Sequence, residues 1–203
     1  MGGLTNVRAI AGTISEAERP PDRALVAQCV GGDDEAWRHL CRHHYPRVAS
    51  TLRKLGVRSS DVEDAAQEVF IEVFRYLPRF RGESELGTWL YRLCITRAHH
   101  LRKRARTREK LRRFLLFAPA QAAPEPIGLG EAEARRVIER ALSVLSEKQR
   151  TVFVLYELEN VPGKQIAEIL GCPEATVWRR LHDARRSFVT AMDALSERKA
   201  AAT

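Results

Sequence analysis

The stretch GCPEATVWRRLHDARR, residues 171–186, decides the fold. Gly171-Cys172-Pro173 interrupts the chain, and from Glu174 onward the sequence reads as an amphipathic helix rich in arginine. Upstream, residues 164–170 form a short helix behind the breaker Pro162-Gly163. Ile166, Ile169 and Leu170 of the short helix can pack on Val177, Leu181 and Ala184 of the longer one, a stripe that continues to Phe188. Two helices joined by a tight turn with Gly at the exit make a helix-turn-helix. Away from the stripe lie Ala175, Trp178, Arg179, His182 and Arg186, with Thr176, Arg180 and Arg185 on the flanks. In such a motif the first residues of the second helix reach base edges, and basic neighbours hold phosphates. Arg179 has the reach for a guanine edge, and Trp178 is costly to expose without a purpose. A plain basic surface helix, with Trp178 filling a gap in the core, also fits these residues.

The 203-residue chain is much longer than this motif needs. Apolar residues elsewhere recur at helical spacing and no alternating run suggests a sheet, so an all-α protein is expected. Its charge is concentrated. The formal net charge is +8, and residues 97–113 (RAHHLRKRARTREKLRR) hold nine Lys or Arg against one Glu, leaving the rest near neutral. Such a stripe favours a polyanion, although a solvated helix end has the same composition. Cys29, Cys41, Cys94 and Cys172 show no metal-ligand spacing, even with His43 and His44 near Cys41, so structural thiols in a reducing compartment are expected. No apolar run suits a secretion signal or a membrane span, so a cytoplasmic protein without membrane insertion is expected.

The organisation expected is two small helical domains joined by a flexible linker, the second ending in the helix-turn-helix. Residues 1–21 read as a flexible arm and 22–113 as the first domain; 114–130 (FLLFAPAQAAPEPIGLG) read as the linker, 131–196 as the second domain and 197–203 as a tail. In the first domain Gly31-Gly32-Asp33 makes a turn and cap, and Gly56 stops the helical pattern that follows. Asp61 can cap the helix DVEDAAQEVFIEVFRYL, whose stripe Val62, Ala66, Val69, Val73 and Leu77 is widened by Phe70 and Phe74. Asp64, Glu68, Ile71 and Arg75 form another face with Gln67 at its margin. In the second domain Ser146 and Gln149 are spaced as a capping box. FLLF is apolar for a free linker, and packing on the first domain or in a partner's groove both fit it.

DAAQEVFIEVF, TWLYRLCITRAHHLRKR and LSEKQRTVFVLYELENVPGKQIAEILGCPEATVWRRLHDARR together resemble bacterial RNA polymerase sigma factors of the extracytoplasmic-function type, in order and across most of residues 24–192. The resemblance implies a non-enzymatic, cofactor-free and metal-free subunit that binds core RNA polymerase, directs it to promoter DNA and helps open the duplex. It is expected to be a monomer outside that complex and to meet an anti-sigma factor. Asp64, Gln67, Glu68, Ile71 and Arg75 would dock on polymerase. Arg97, Arg102, Lys103, Arg104 and Arg106 would hold phosphates at the -10 element, Thr96, His99 and His100 would meet bases of the separated strand, and Trp89 would offer a stacking surface. Ala175, Thr176, Trp178, Arg179, Arg180, His182, Arg185 and Arg186 would meet the -35 element. The sequence departs from the family pattern at Thr96 (often Asn), His100 (often Asp), Gln165 (often Glu), Ala175 (often Gly), and Trp178 and Asp183 (often basic), so the preferred promoter does not carry over. The rival is a helix-turn-helix repressor or activator that binds duplex DNA without joining polymerase, a class that usually dimerises on palindromes.

Overall fold

Asp33 opens the first long helix. Its Oδ1 accepts from the backbone N–H of Glu35 at 2.8 Å and of Ala36 at 3.1 Å, satisfying donors that a helix start leaves unpaired. A computed structural model describes residues 22–80, 85–116 and 131–201. Helix α1 (Asp22–Val30) leads through that cap into α2 (Asp34–Lys54), which continues through Pro46. Pro46 lies on the exposed side of α2, where the carbonyl it leaves without a donor can face water. The stripe Val62, Ala65, Ala66, Val69 and Val73 of α3 (Val62–Tyr76) is buried against α2 and α4 (Leu86–Leu116). Among the described residues there are helices and turns and no strand.

Three expectations need correction in this block. Asp61 precedes α3 but does not cap it: its carboxylate accepts from the Ser60 hydroxyl at 2.9 Å and pairs with Arg58 at 3.4 Å. Phe74 does not widen the buried stripe. It is 66% exposed, one position round the helix from the fully buried Val73, with its ring 4.9 Å from that of Trp37. Phe70 is only half-buried. The segment expected to begin the linker is helical as far as Leu116, so the backbone of Phe114–Leu116 continues α4. Residues 1–21 and 117–130, with the arm and the rest of the linker, lie outside the described residues, as do the side chains that would show where FLLF packs.

The second block starts with α5 (Glu131–Ser143). Ser146 caps α6 (Glu147–Phe153) as the spacing predicts: its hydroxyl accepts from Gln149 N–H at 3.4 Å, and the Gln149 side chain returns to Ser146 N–H at 3.0 Å. A π-helical segment, Val154–Leu158, follows, then α7 (Gly163–Leu170) and α8 (Glu174–Ala201). α8 runs five residues past the expected end of the domain. Ile166, Val177, Leu181, Ala184 and Phe188 are almost wholly buried, and Phe188 stacks on Phe153 with centroids 4.7 Å apart. Each large side chain so buried stabilises the fold by roughly 1.5–3 kcal/mol. Gly171 ends α7 at φ 59°, ψ 42°, the left-handed conformation that turns the chain into α8.

Gly171→Ala isolates that backbone requirement, because an added Cβ would meet nothing within 4 Å. It should destabilise the chain by about 1–2 kcal/mol, read as a lower urea midpoint at unchanged m-value.

Candidate nucleic-acid interface

The buried stripe of α8 fixes which residues face outward. Ala175, Trp178, Arg179, His182 and Arg186 are exposed, and Thr176, Arg180 and Arg185 are half-buried at the margins, the division the spacing predicts. Trp178 has two roles at once. Although 42% exposed, its ring lies against Gly163 at the start of α7, so close that a Cβ there would come within 2.5 Å of Cζ2. Its indole N–H donates to Glu174 Oε1 at 3.1 Å, and Tyr156 meets the ring edge-on at 5.4 Å. Trp178 therefore spaces α7 from α8 while leaving an edge in water.

The arginines of this surface differ in the same way. Arg185 Nε donates to Glu157 at 2.7 Å, and its guanidinium lies 5.5 Å over the Tyr156 ring, so its charge is largely engaged inside the block. Arg186 makes only an exposed 3.8 Å pair with Asp183, of little energetic weight. Arg180 leans toward the Cys172 sulfur at 3.8 Å. Arg179 and His182 make no hydrogen bond or ion pair with the described residues, which leaves both available to a ligand.

On α4 the structure divides the predicted residues. Thr96, His100, Lys103, Arg104 and Arg106 are exposed, although the Thr96 hydroxyl donates back to Arg92 C=O at 2.9 Å. Arg97 is mostly covered and ion-pairs with Glu68. His99, expected to be exposed, is half-buried with a ring nitrogen 3.4 Å from Thr151 Oγ1. Burial, aided by Arg102, His100 and Arg106 and opposed by Glu147, holds its pKa below the usual 6.5. Arg102 is enclosed as well, 3.9 Å from Glu147 and with Nη1 donating to Leu55 C=O at 3.4 Å. Trp89 is half-buried against Phe80, centroids 5.4 Å apart, and so packs within the first block. An open cleft of about 440 Å³ lies between His99, His100, Lys103, Arg106, Thr107 and Glu147.

The third surface is on α3, where Asp64, Gln67, Glu68, Ile71 and Arg75 are all exposed. Phe74 joins them, a residue that reading by stripe assigns to the core. Glu147 and Glu159, which carry the contacts between the blocks, have no local sequence signal, since their partners lie 41 to 108 positions away.

Residues 40–108 match the family model "Sigma-70 region 2", and residues 135–188 match "Sigma-70, region 4". The ECF RNA polymerase sigma-E factor of Haemophilus influenzae is 33% identical over 83% of this chain and 94% of its own length. That of Escherichia coli K12 is 32% identical over 85% and 94%. The chain belongs to the ECF sigma factors. As a sigma factor it directs promoter-specific transcription by RNA polymerase. Solved structures agree on the fold. CnrH in complex with the cytosolic domain of CnrY superposes with a TM-score of 0.66 at 24% identity, over 86% of this chain and 99% of that one. Bartonella quintana RpoE in complex with the anti-sigma factor NepR gives 0.61 at 19%, over 77% and 96%.

The contact between Trp178 and Gly163 is testable inside this sigma factor's helix-turn-helix. Gly163→Ala should cost about 1–3 kcal/mol in chemical denaturation, the range for overpacking, and should cost clearly less when Trp178 is already Leu. Equal costs in both backgrounds would show that the ring does not seat on Gly163.

Proposed function

We propose that this sigma factor uses its three surfaces for three partners. The outward row of α8 reads the -35 element as duplex: Arg179 and His182 reach base edges, and Arg180 and Arg186 hold phosphates beside Ala175 and Thr176. Trp178 and Arg185 chiefly set the position of that row. The exposed residues of α4, Thr96, His100, Lys103, Arg104 and Arg106, meet the -10 element with His99, Arg97 and Arg102, where unpaired bases offer edges and faces. Asp64, Gln67, Glu68, Ile71 and Arg75 dock on core polymerase, with a carboxylate row suited to a basic partner surface.

The observation that carries this reading is the outward row of α8, which is exposed as a set on a motif whose opposite stripe is buried. The protein acts without catalysis of its own and in the cytoplasm; among the described residues no helix is long and apolar enough to cross a membrane. The solved complex of RpoE with the anti-sigma factor NepR supports an anti-sigma factor as a further partner.

Transcription reconstituted with purified core polymerase tests the reading. Added protein should yield promoter-specific initiation, whereas a dimer that binds a palindromic operator tightly and does not support initiation would favour the repressor class. Within that assay, Arg179→Ala should relax preference at one -35 position by about 1–3 kcal/mol. Arg104→Ala should weaken binding on all sequences and flatten its salt dependence. Equal, sequence-independent losses from both would remove the division of labour.

A further inference from the structure

Glu174 opens α8 and is the acidic residue of its first turn, on an outward face otherwise supplied with arginine. Its exposed carboxylate does not serve the helix start. The N–H groups there turn to Pro173 C=O instead, Thr176 at 2.9 Å and Val177 at 3.4 Å. Glu174 Oε1 accepts from the Trp178 indole N–H at 3.1 Å, one turn along the same face. Oε2 makes no hydrogen bond or ion pair with the described residues.

The indole that holds this carboxylate is itself held. Trp178 rests on Gly163 of α7, and Tyr156 meets its ring edge-on, so the N–H is anchored to the packing of the motif. A side chain whose rotamer is fixed in this way loses less freedom on binding than a free one. The same bond consumes the only donor a tryptophan has, which leaves Trp178 nothing but carbon to offer a base.

The chemistry of the remaining oxygen is selective. An ionised carboxylate accepts hydrogen bonds and cannot donate them. In the major groove cytosine presents its N4 amino donor with no acceptor beside it. Guanine presents O6 and N7, thymine presents O4, and adenine sets N7 next to its N6 donor. Phosphates repel a carboxylate that finds no donor, so the three other bases are penalised and not merely unrewarded. We propose that Glu174 is a base-reading residue that selects cytosine at one position of the -35 duplex, and that Trp178 is its positioning residue. The inference rests on the assignment of α8 to the -35 element and adds to it a reader of the opposite charge to Arg179.

The test uses holoenzyme reconstituted from the full chain and core polymerase, on promoters carrying every single-base change across the -35 element. Wild type should initiate about tenfold better with cytosine at one position than with the other bases there. Glu174→Ala should level that position alone. Glu174→Gln, whose amide both donates and accepts, should move the preference there to adenine. Trp178→Phe keeps an aromatic ring but removes the N–H, and should weaken the cytosine preference at the same position. A residue that only stabilised the helix start would lower initiation on every promoter alike. That pattern in the Glu174 variants, or an unchanged preference at every position, would overturn the proposal, and an unchanged preference in Trp178→Phe would overturn the positioning role. Arg179→Ala separates this idea from the one beneath it. If it alters one -35 position while the Glu174 variants alter none, only the present proposal falls; if none of the variants alters any position, the assignment of α8 falls with it.

Discussion

A carboxylate taken out of water must be surrounded by donors or it destabilises the fold by several kcal/mol, and Glu159 is that carboxylate. Its donors lie 68 to 108 residues earlier in the chain, on α2 and α4. This side chain, together with Arg150 and Glu147, therefore helps fix how the two blocks meet. Arg150 supplies the matching cation. Burial, with Arg102 nearby and Glu139 in opposition, brings its pKa down to about 10, still well above neutral, so it remains charged against the carbonyls ending α2. Tyr91 is held protonated by burial first and by Glu159 second, which keeps it a donor to that carboxylate. The seat around Glu159 and Arg150 is thus polar, unlike the apolar stripes within each block.

That constraint changes the meaning of the basic stripe. Read as composition, residues 97–113 are a uniform polycation. In the folded chain they divide by partner: Arg97 goes to Glu68 within the first block, Arg102 and Arg106 face Glu147 of the second, and Lys103 and Arg104 face solvent. Exposed, unpaired cations such as Lys103 and Arg104 contribute their full charge at long range, where screening sets the reach to about 8–10 Å at ordinary salt.

The helix-turn-helix was legible in the sequence because its determinants are local. The Gly171 turn, the spacing of Ile166, Val177 and Leu181, and the capping box at Ser146 all act within a few residues. The exposure of Phe74 is not legible in the sequence, because an apolar residue adjoining a stripe carries the same signal whether or not the core has room for it. Trp178 is only partly legible in the sequence. Its outward position follows from helical spacing, but its seat on Gly163 depends on a residue fifteen positions away with no side chain to signal the contact. The partial burial of His99 and Arg102 has no local signal, because helix periodicity cannot register a second block laid across them. Asp61 had a capping residue's chemistry, yet Arg58 and Ser60 were nearer partners for its carboxylate.

Phe74 also bears on why the chain works as a subunit. It is 66% exposed, Ile71 is 56% exposed and Tyr76 41%, all on or beside the row Asp64, Gln67, Glu68 and Arg75. A large apolar side chain gains roughly 1.5–3 kcal/mol on full burial, and the free chain forgoes much of that at adjacent positions of one helix. Apolar groups grouped within a charged border are the pattern of a surface completed by another protein. The carboxylates give such a surface its steering and register, while Phe74 and Ile71 give it area to bury. On this account the residue that fits the core of the first block least well is the one best placed to strengthen the proposed polymerase contact.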